Sequence, residues 1–225
     1  MGSKSRKPHQ LPPGRHGLSS DFVAGNQRDR ILAALAGAVS EHGYANTSVD
    51  SIIKLAGVSR RTFYEHHSSK EDAFLAAFDS AVGRITAAVV RAYSGHDDFV
   101  EATRAALEVC LRVLAEDPAV TRMVIVEVLS AGPEALQRRR EVLSALTDRI
   151  VHASQGLPET PIGPQLTAET IVGAVLQVIY NRVSRGEADR LPDLLPDLLY
   201  NVLVPFLGHQ RAADERAKSL PKSVS

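Results

Sequence analysis

Three consecutive side chains are suited to read the edges of DNA bases: Arg60, Arg61 and Thr62. They follow Ser59, whose hydroxyl can accept from the free N–H groups at the start of a helix. Arginine can donate two parallel hydrogen bonds to guanine O6 and N7, and threonine can contact a thymine methyl or a phosphate. Because the first residues of a recognition helix reach base edges in the major groove, the pattern predicts such a helix from Arg60 to about His67.

A second short helix precedes this one. Its apolar residues recur at the i, i+3, i+4, i+7 spacing of a helix with one buried face: Val49, Ile52, Ile53 and Ala56. Thr47 or Ser48 caps this helix. Gly57 follows it, where a left-handed position suits a residue without Cβ. The two patterns together predict a helix-turn-helix.

Further side chains around the turn are placed to hold the phosphate backbone. Tyr64, His66 and Lys70 can donate to phosphates, which fix register but carry no sequence information. Phe63 should turn inward. The predicted DNA-binding residues are Thr47, Ser59, Arg60, Arg61, Thr62, Tyr64, His66 and Lys70.

The net charge of zero conceals an asymmetry along the chain. Residues 1–70 hold ten Lys and Arg against five Asp and Glu, a balance of +5, and the remainder holds sixteen against twenty-one, a balance of −5. A basic end on a mildly acidic body is typical of a protein that docks one end on nucleic acid.

The first twenty residues are basic and rich in Pro, Gly, Ser and His, a composition that predicts disorder. They are either a solubilising tail or an arm that enters the adjacent minor groove, where a narrow groove attracts arginine. The candidate groove contacts of such an arm are Arg6, Lys7 and Arg15.

The string G-V-S-R-R-T-F-Y-E-H-H-S-S-K-E-D-A-F, residues 57–74, resembles the DNA-binding signature of the TetR (tetracycline-repressor) family. In that signature G-V-S, then x-x-T-F-Y, then x-H-F-x-x-K-E-x-L recur in order. Two positions depart from it: Arg61 stands where glycine is frequent, and His67 where phenylalanine is usual. The resemblance implies a homodimeric transcriptional regulator, most often a repressor, that binds a palindromic operator and is released by a small molecule.

The helical patterns and the resemblance predict an all-α protein of about nine helices. Residues 1–20 are the basic arm, residues 21–70 the three-helix DNA-binding domain, and residues 71–210 the effector-binding and dimerisation domain, with a flexible tail at 211–225. The β-branched run at 123–129 is compatible with a strand, but we interpret it as helix because no second strand exists to pair with it.

Several helix boundaries follow from capping residues and breakers. We expect the first helix from about Asn26 to His42, a helix capped by Thr167, and a last helix that ends near Gly208.

The last two helices are expected to pair with their copies in a four-helix dimer interface, as the resemblance implies; an ordinary core hairpin is the alternative. Two-fold pairing doubles the contact of a helix-turn-helix on a palindromic site. The predicted interface residues are Ile171, Val175, Val178, Leu195, Leu198 and Val202.

The central helices, residues 97–155 and 167–186, are expected to enclose an apolar space with a few polar groups, as ligand pockets do. The candidate effector-binding residues are Cys110, Arg122, Met123, Glu127, His152, Gln177, Tyr180 and Asn181. Each has a structural alternative. Glu127 can pair with Arg112 or Arg122 because a buried unpaired carboxylate is costly. Cys110 can be a small core residue, and Tyr180 and Asn181 can bond across the dimer.

Other functional classes find little support in the sequence. The single Cys110 excludes an intrachain disulfide framework and a cysteine-based zinc site. We find no paired carboxylates at workable spacing, no nucleophile with a base and no phosphate-binding glycine loop, so we predict neither an enzyme nor a cofactor or metal. Without a secretory segment or a run of about 18 apolar residues, we expect a soluble cytoplasmic protein with no membrane partner.

The expected partners are a double-stranded DNA operator, a second copy of the chain and an unknown small, largely apolar effector. The alternative function is a constitutive architectural DNA-binding protein without an effector. That protein would show a steep salt dependence but little sequence preference.

Overall fold

The computed structural model describes residues 20–158 and 160–220, and this part of the chain consists of helices and connecting loops without a strand. Its nine α-helices are α1 Ser20–His42, α2 Val49–Ala56, α3 Arg60–His66, α4 Lys70–Tyr93, α5 Phe99–Glu116, α6 Pro118–Ile125, α7 Pro133–Ala153, α8 Pro164–Ser184 and α9 Leu195–Lys218. Two 3-10 helices, Glu127–Leu129 and Ala188–Leu194, follow α6 and α8. The predicted all-α fold is confirmed.

The described chain divides into two compact units, with the boundary between Ala77 and Phe78 inside α4. The first unit contains α1, α2, α3 and residues 70–77 of α4. Its fully buried side chains include Ile31, Leu35, Val39, Ile52, Phe63 and Phe74. Phe63 is the one buried residue of α3, so a single aromatic ring anchors this short helix and leaves its other faces outside the core.

The second unit has its main core where α5, α8, α9 and the 3-10 helix Ala188–Leu194 meet. The buried residues of this core are Leu111, Leu114, Ile179, Val183, Ala188, Leu191 and Leu198. A smaller cluster joins α5 to α9 through Val100, Leu199, Leu203 and Ala212. One face of α8 is therefore used inside the protomer.

Three helix boundaries differ from the sequence expectation. α1 begins at Ser20, because Gly25 costs a helix only about 1 kcal/mol and does not end it. The run at 123–129 is helical to Ile125 and continues as a 3-10 turn rather than as a longer α-helix. α8 begins at Pro164, which suits a first helical position, so Thr167 is no cap; it lies inside the helix and is buried.

The predicted end of the last helix near Gly208 is confirmed in part. Gly208 has φ 76° and ψ 168°, which interrupts the regular helix, but a second helical stretch follows and runs to Lys218. The flexible tail predicted from residue 211 is thus helical over 211–218. The physical reason is an ion pair in which Arg104 Nη2 of α5 lies 2.5 Å from Glu215 Oε2, with only 16% and 10% of these side chains exposed.

One helix in the described part of the chain, α4, is long and apolar enough by length and composition to cross a membrane. α4 contains no run of about 18 consecutive apolar residues, because Asp79 and Arg84 interrupt its apolar stretch. A third of the apolar window is buried, and core helices of soluble proteins pass the same test.

Candidate nucleic-acid interface

Local capping interactions form the helix-turn-helix. Ser48 accepts from Ser51 N, and Ser51 accepts in return from Ser48 N, a capping box that begins α2. Gly57 ends α2 with φ 65° and ψ 38°, as its lack of Cβ predicts. Ser59 Oγ accepts from Thr62 N and begins α3, which confirms its predicted capping role.

Arg30 of α1 donates hydrogen bonds to the turn between α2 and α3, a role that the sequence did not indicate. Its guanidinium donates to the carbonyl oxygen of Ala56 and, at 2.8 Å, to that of Gly57. A cation suits the negative end of the α2 dipole, and the two carbonyls would otherwise lack a helical partner. A Cβ at Gly57 would lie 3.0 Å from Arg30 Nη2, so the close approach also favours glycine. Arg30 and Gly57 together set the direction in which α3 begins.

The first turn of α3 presents the predicted base-reading side chains on an exposed surface. Arg60 donates to Asp50 of α2 at 2.5 Å, and Arg61 donates to Glu65 one turn further along α3 at 2.9 Å. Tyr64 is also exposed, whereas Phe63 points inward as predicted. Arginines at the start of a helix, free of the core, can therefore donate to base edges or phosphates.

Two predicted DNA contacts belong to the interior of the first unit instead. Thr47 is buried, and its hydroxyl donates to Gly43 O at 2.8 Å. Lys70 Nζ donates to Tyr44 O at 2.8 Å and to Thr47 O at 2.9 Å, and lies 4.1 Å from the Tyr44 ring centroid. Burial lowers the pKa of Lys70. The acceptors of Lys70 lie more than twenty positions earlier in the chain, so the sequence did not indicate them, whereas the bond of Thr47 spans only four residues within the loop before α2.

The two histidines that end the recognition helix differ in their surroundings. His66, a predicted phosphate contact, is half-buried, and its Nε2 lies 3.4 Å from Gln27 Oε1. His67 caps the end of α3, is only 3% exposed and packs against the Phe63 ring at 5.9 Å. Its Nε2 has no hydrogen-bond partner among the described residues. His67 is thus buried against an aromatic ring at the position where the family signature usually has phenylalanine.

Acid is expected to destabilise the protein through His67. Desolvation lowers the pKa of His67, Arg28 and His66 lower it further, and Asp72 partly opposes them. The unfolded chain therefore binds this proton more readily, and the stability contributed by neutral His67 is lost as the pH falls below about 6.5. Thermal unfolding at about pH 7 and about pH 5 should show a smaller acid-induced decrease in Tm for His67→Phe than for the wild type. The exposed His96 supplies the control, since His96→Phe should leave the decrease unchanged; an equal decrease in all three proteins would contradict the assignment.

The predicted minor-groove residues Arg6, Lys7 and Arg15 lie outside the described residues. Within the described ranges no three His, Cys, Asp or Glu side chains come together as a group that could hold a metal ion. The chemistry available on this surface is hydrogen bonding and charge.

The eight predicted effector residues of the second unit are not brought together. Met123 and Glu127 are buried, and Cys110 packs against the main core, where burial raises its pKa to about 11. Arg122 Nη2 lies 3.2 Å from Glu127 Oε1, which confirms the expected structural pairing of this carboxylate with Arg122. Arg112 instead faces Glu116 at 4.0 Å.

The remaining effector candidates lie on or near the surface of the protomer. Gln177 and Asn181 are exposed, and Gln177 Nε2 donates to Asn181 Oδ1 at 3.0 Å. His152 is exposed and Tyr180 half-buried. The prediction that Gln177 and Asn181 face an interior space is wrong for the single protomer, because α8 uses its opposite face to fill the core. It is also wrong for His152, which lies at an exposed position near the end of α7.

A cavity of about 350 Å³ lies between α8 and α9. Its lining residues are Thr160, Pro161, Ile162, Thr167, Thr170, Ile171, Ala174, Val175, Asn201 and Pro205. None of the predicted effector residues lines it.

The predicted dimer residues lie mostly inside the protomer. Ile171 and Leu198 are buried, and three others pack against the main core: Val175, Val178 and Leu195. Val202 is half-buried. α8 is apolar nearly all round, so its sequence did not distinguish the inner from the outer stripe. The exposed stripe of α8 is Leu166, Thr170, Ala174, Gln177 and Asn181.

Known proteins with similar sequences are bacterial transcriptional regulators. The sequence profile described as "Bacterial regulatory proteins, tetR family" matches residues 31–77. The HTH-type transcriptional regulator EthR of Mycolicibacterium smegmatis is 30% identical over 179 residues, which cover 76% of this chain and 72% of EthR. The HTH-type transcriptional activator FasR of the same species is 24% identical over 145 residues, which cover 64% of this chain and just under two thirds, 66%, of FasR.

Solved structures share the fold at lower identity. The fatty acid degradation regulator FadR from Bacillus halodurans has a TM-score of 0.72 and 22% identity, over 79% of this chain and 94% of that one. FadR from Bacillus subtilis, solved in complex with stearoyl-CoA, has a TM-score of 0.68 and 19% identity, over 80% and 98%. The identity to EthR over most of both chains, together with the helix-turn-helix geometry, establishes that this protein belongs to the TetR family of transcriptional regulators.

Proposed function

We propose that this protein is a homodimeric transcriptional repressor that binds a palindromic operator and leaves it when a small, largely apolar effector binds. The observation that carries the proposal is the exposed first turn of α3, where Arg60, Arg61 and Thr62 stand on a helix fixed by Phe63. We assign DNA binding to residues 21–70, effector binding and dimerisation to residues 71–210, and the site of action to the cytoplasm.

Each α3 would read one half-site in the major groove. The two-fold axis of the dimer would place the second α3 about one helical turn, roughly 34 Å, along the duplex. Tyr64 and His66 would then donate to phosphates and fix the register. We do not include Lys70 among the proposed phosphate contacts, because its ammonium group donates to two carbonyl oxygens.

Dimerisation is proposed to use the outer stripe of α8 with the neighbouring surface of α9. The stripe runs along one face at helical spacing from Leu166, which is 53% exposed, through Ala174 to Asn181. Small and polar residues there let two copies of the helix approach closely. The cavity beside the stripe is a depression that side chains of the partner could fill. A self-complementary patch of this kind suits a two-fold interface.

An effector can shift DNA binding only by differing in affinity for two states of the dimer. We infer states that differ in the spacing of the paired α3 helices, with α4, which contributes residues to both units, carrying the change. Stearoyl-CoA, named with FadR of Bacillus subtilis, is a suitable first probe for an effector with a long apolar chain. Release of the dimer from its operator by stearoyl-CoA, measured by fluorescence anisotropy, would support an acyl effector.

The first test is selection from a pool of random duplexes at one near-physiological salt concentration, read by sequencing. We expect a palindromic motif with half-sites about one helical turn apart. Recovery of DNA without a motif would contradict operator binding and leave the architectural function. That second candidate is favoured by one observation, namely that none of the predicted effector residues lines the cavity between α8 and α9.

Arg61→Ala is expected to relax sequence preference at one position of each half-site. A good arginine–guanine contact is worth about tenfold or more in discrimination against the wrong base, so the preference there should fall by about that factor. Selection with the variant measures this directly. Arg190→Ala removes another exposed arginine, paired with Asp193 in the second unit, and should leave the motif unchanged. A uniform loss of affinity without a change in motif would show that Arg61 contacts phosphate instead.

A further inference from the structure

A carboxylate of α2 stands beside the first arginine of the recognition helix. Asp50 lies in the first turn of α2, and its Oδ1 accepts a hydrogen bond of 2.5 Å from Nη2 of Arg60, the first residue of α3. The bond to Asp50 raises the pKa of Arg60. More than half of each side chain is exposed. The pair therefore joins the starts of the two helices on the solvent side of the unit.

The pair with Asp50 orients the Arg60 side chain and adds little to the stability of the folded protein. An exposed ion pair contributes little to folding because water and salt screen it. An arginine without a partner at a helix start samples many rotamers, and it must give up that freedom when it binds a base. Held at one Nη by Asp50, Arg60 keeps the remaining N–H donors of its planar guanidinium for a base edge. The restraint comes from α2, so it fixes Arg60 relative to the whole helix-turn-helix.

The negative charge of Asp50 has a separate effect on DNA binding. A carboxylate near the phosphate backbone is repelled unless a cation neutralises it. When Arg60 turns away to a phosphate, as it would on an unrelated sequence, Asp50 faces the duplex alone. Sequences that keep Arg60 beside Asp50 avoid this repulsion. Penalising the wrong partner in this way is a recognised route to specificity.

We infer that Asp50 is a positioning residue that determines operator specificity: it orients Arg60 for base reading and penalises sequences that draw Arg60 away. The inference rests on the proposed operator binding. Arg61 offers an internal comparison, because its partner Glu65 lies on the same helix, four residues further along. Glu65 places a similar charge on α3 but does not restrain Arg61 relative to α2.

The test compares Asp50→Ala with Glu65→Ala in the full chain. Affinities for the selected operator and for a scrambled duplex of equal length are measured by anisotropy at one fixed salt concentration. Both variants should bind scrambled DNA more tightly than the wild type, since each loses one negative charge. Only Asp50→Ala should lower the ratio of operator to scrambled affinity by about fivefold or more, against less than about twofold for Glu65→Ala. Asp50→Glu, which keeps the charge, should retain most of the ratio.

Any other result would contradict one part of the inference. An unchanged ratio in Asp50→Ala overturns the role of Asp50. So does a fall in both affinities with a lower Tm, which would mark Asp50 as merely structural. Equal loss of the ratio in both variants would show that charge alone is responsible and would overturn positioning. If the wild type itself prefers no sequence, operator binding fails and the inference fails with it; a wild type that selects a motif separates the two.

Discussion

Ala174→Arg is expected to convert the proposed dimer into monomers and to lower the affinity for the proposed operator by about a hundredfold or more. Ala174 lies in the middle of the exposed stripe of α8, and a Cβ added at the neighbouring Gly173 would contact nothing within 4 Å. In a two-fold interface the substitution would place two arginines near the axis, where both volume and like charge oppose association. A monomer binds only one half-site and loses the gain in affinity from linked binding of the second, which is roughly 10²–10⁴-fold for a tethered pair.

Sedimentation velocity and operator binding measured on the same samples check this prediction. Ala145→Arg, at an exposed position of α7, is the matched control and should remain dimeric. A dimer that persists in Ala174→Arg with full operator affinity would place the interface elsewhere. Monomers that keep full affinity would refute two-fold recognition of a palindrome.

Lys70→Met is expected to destabilise the first unit by about 2 kcal/mol, because it removes both hydrogen bonds that the ammonium group donates to carbonyl oxygens. Those acceptors are Tyr44 O and Thr47 O, and the ammonium group also loses its contact with the Tyr44 ring. For a unit of this size the loss corresponds to a decrease in Tm of about 10 °C. Differential scanning calorimetry or the helical circular dichroism signal measures it.

Lys54→Met removes an exposed lysine of α2 in the same unit and should leave Tm within about 2 °C. If Lys70 instead contacts phosphate, as the sequence predicted, the expected result is the opposite. Lys70→Met should then keep its stability while binding to all DNA sequences weakens alike, with a shallower salt dependence. Stability and salt slope therefore separate the two roles of Lys70.

The features predicted correctly from the sequence are those set by neighbours along the chain. Ser59 begins α3 and Gly57 ends α2 through bonds that span three or four residues, so the residue types alone indicate them. The inward turn of Phe63 follows from helical periodicity. The family signature lies within the same short segment, so the residue types of that segment alone predict DNA binding.

The features that were missed depend on residues far apart in the chain. Arg30 reaches the α2 carboxyl end across 26 positions, and Lys70 reaches Tyr44 across the same separation. A charged residue looks solvent-exposed in the sequence unless its distant acceptor is known. The sequence did not separate the inner from the outer face of α8 for another reason, since apolar residues occur on most sides of this helix and its periodicity gives no clearly preferred face.

The helical stretch that follows Gly208 limits where this protein can be truncated or fused to another protein. Residues 209–218 set Glu215 against Arg104 and bury Ala212. A chain cut at the glycine would remove Glu215, the nearer carboxylate of the mostly buried Arg104 guanidinium, and would leave it only the more exposed Glu101 at 3.6 Å. Reporter fusions and affinity tags should therefore be joined beyond residue 220, since a junction at the apparent boundary would remove part of the folded domain.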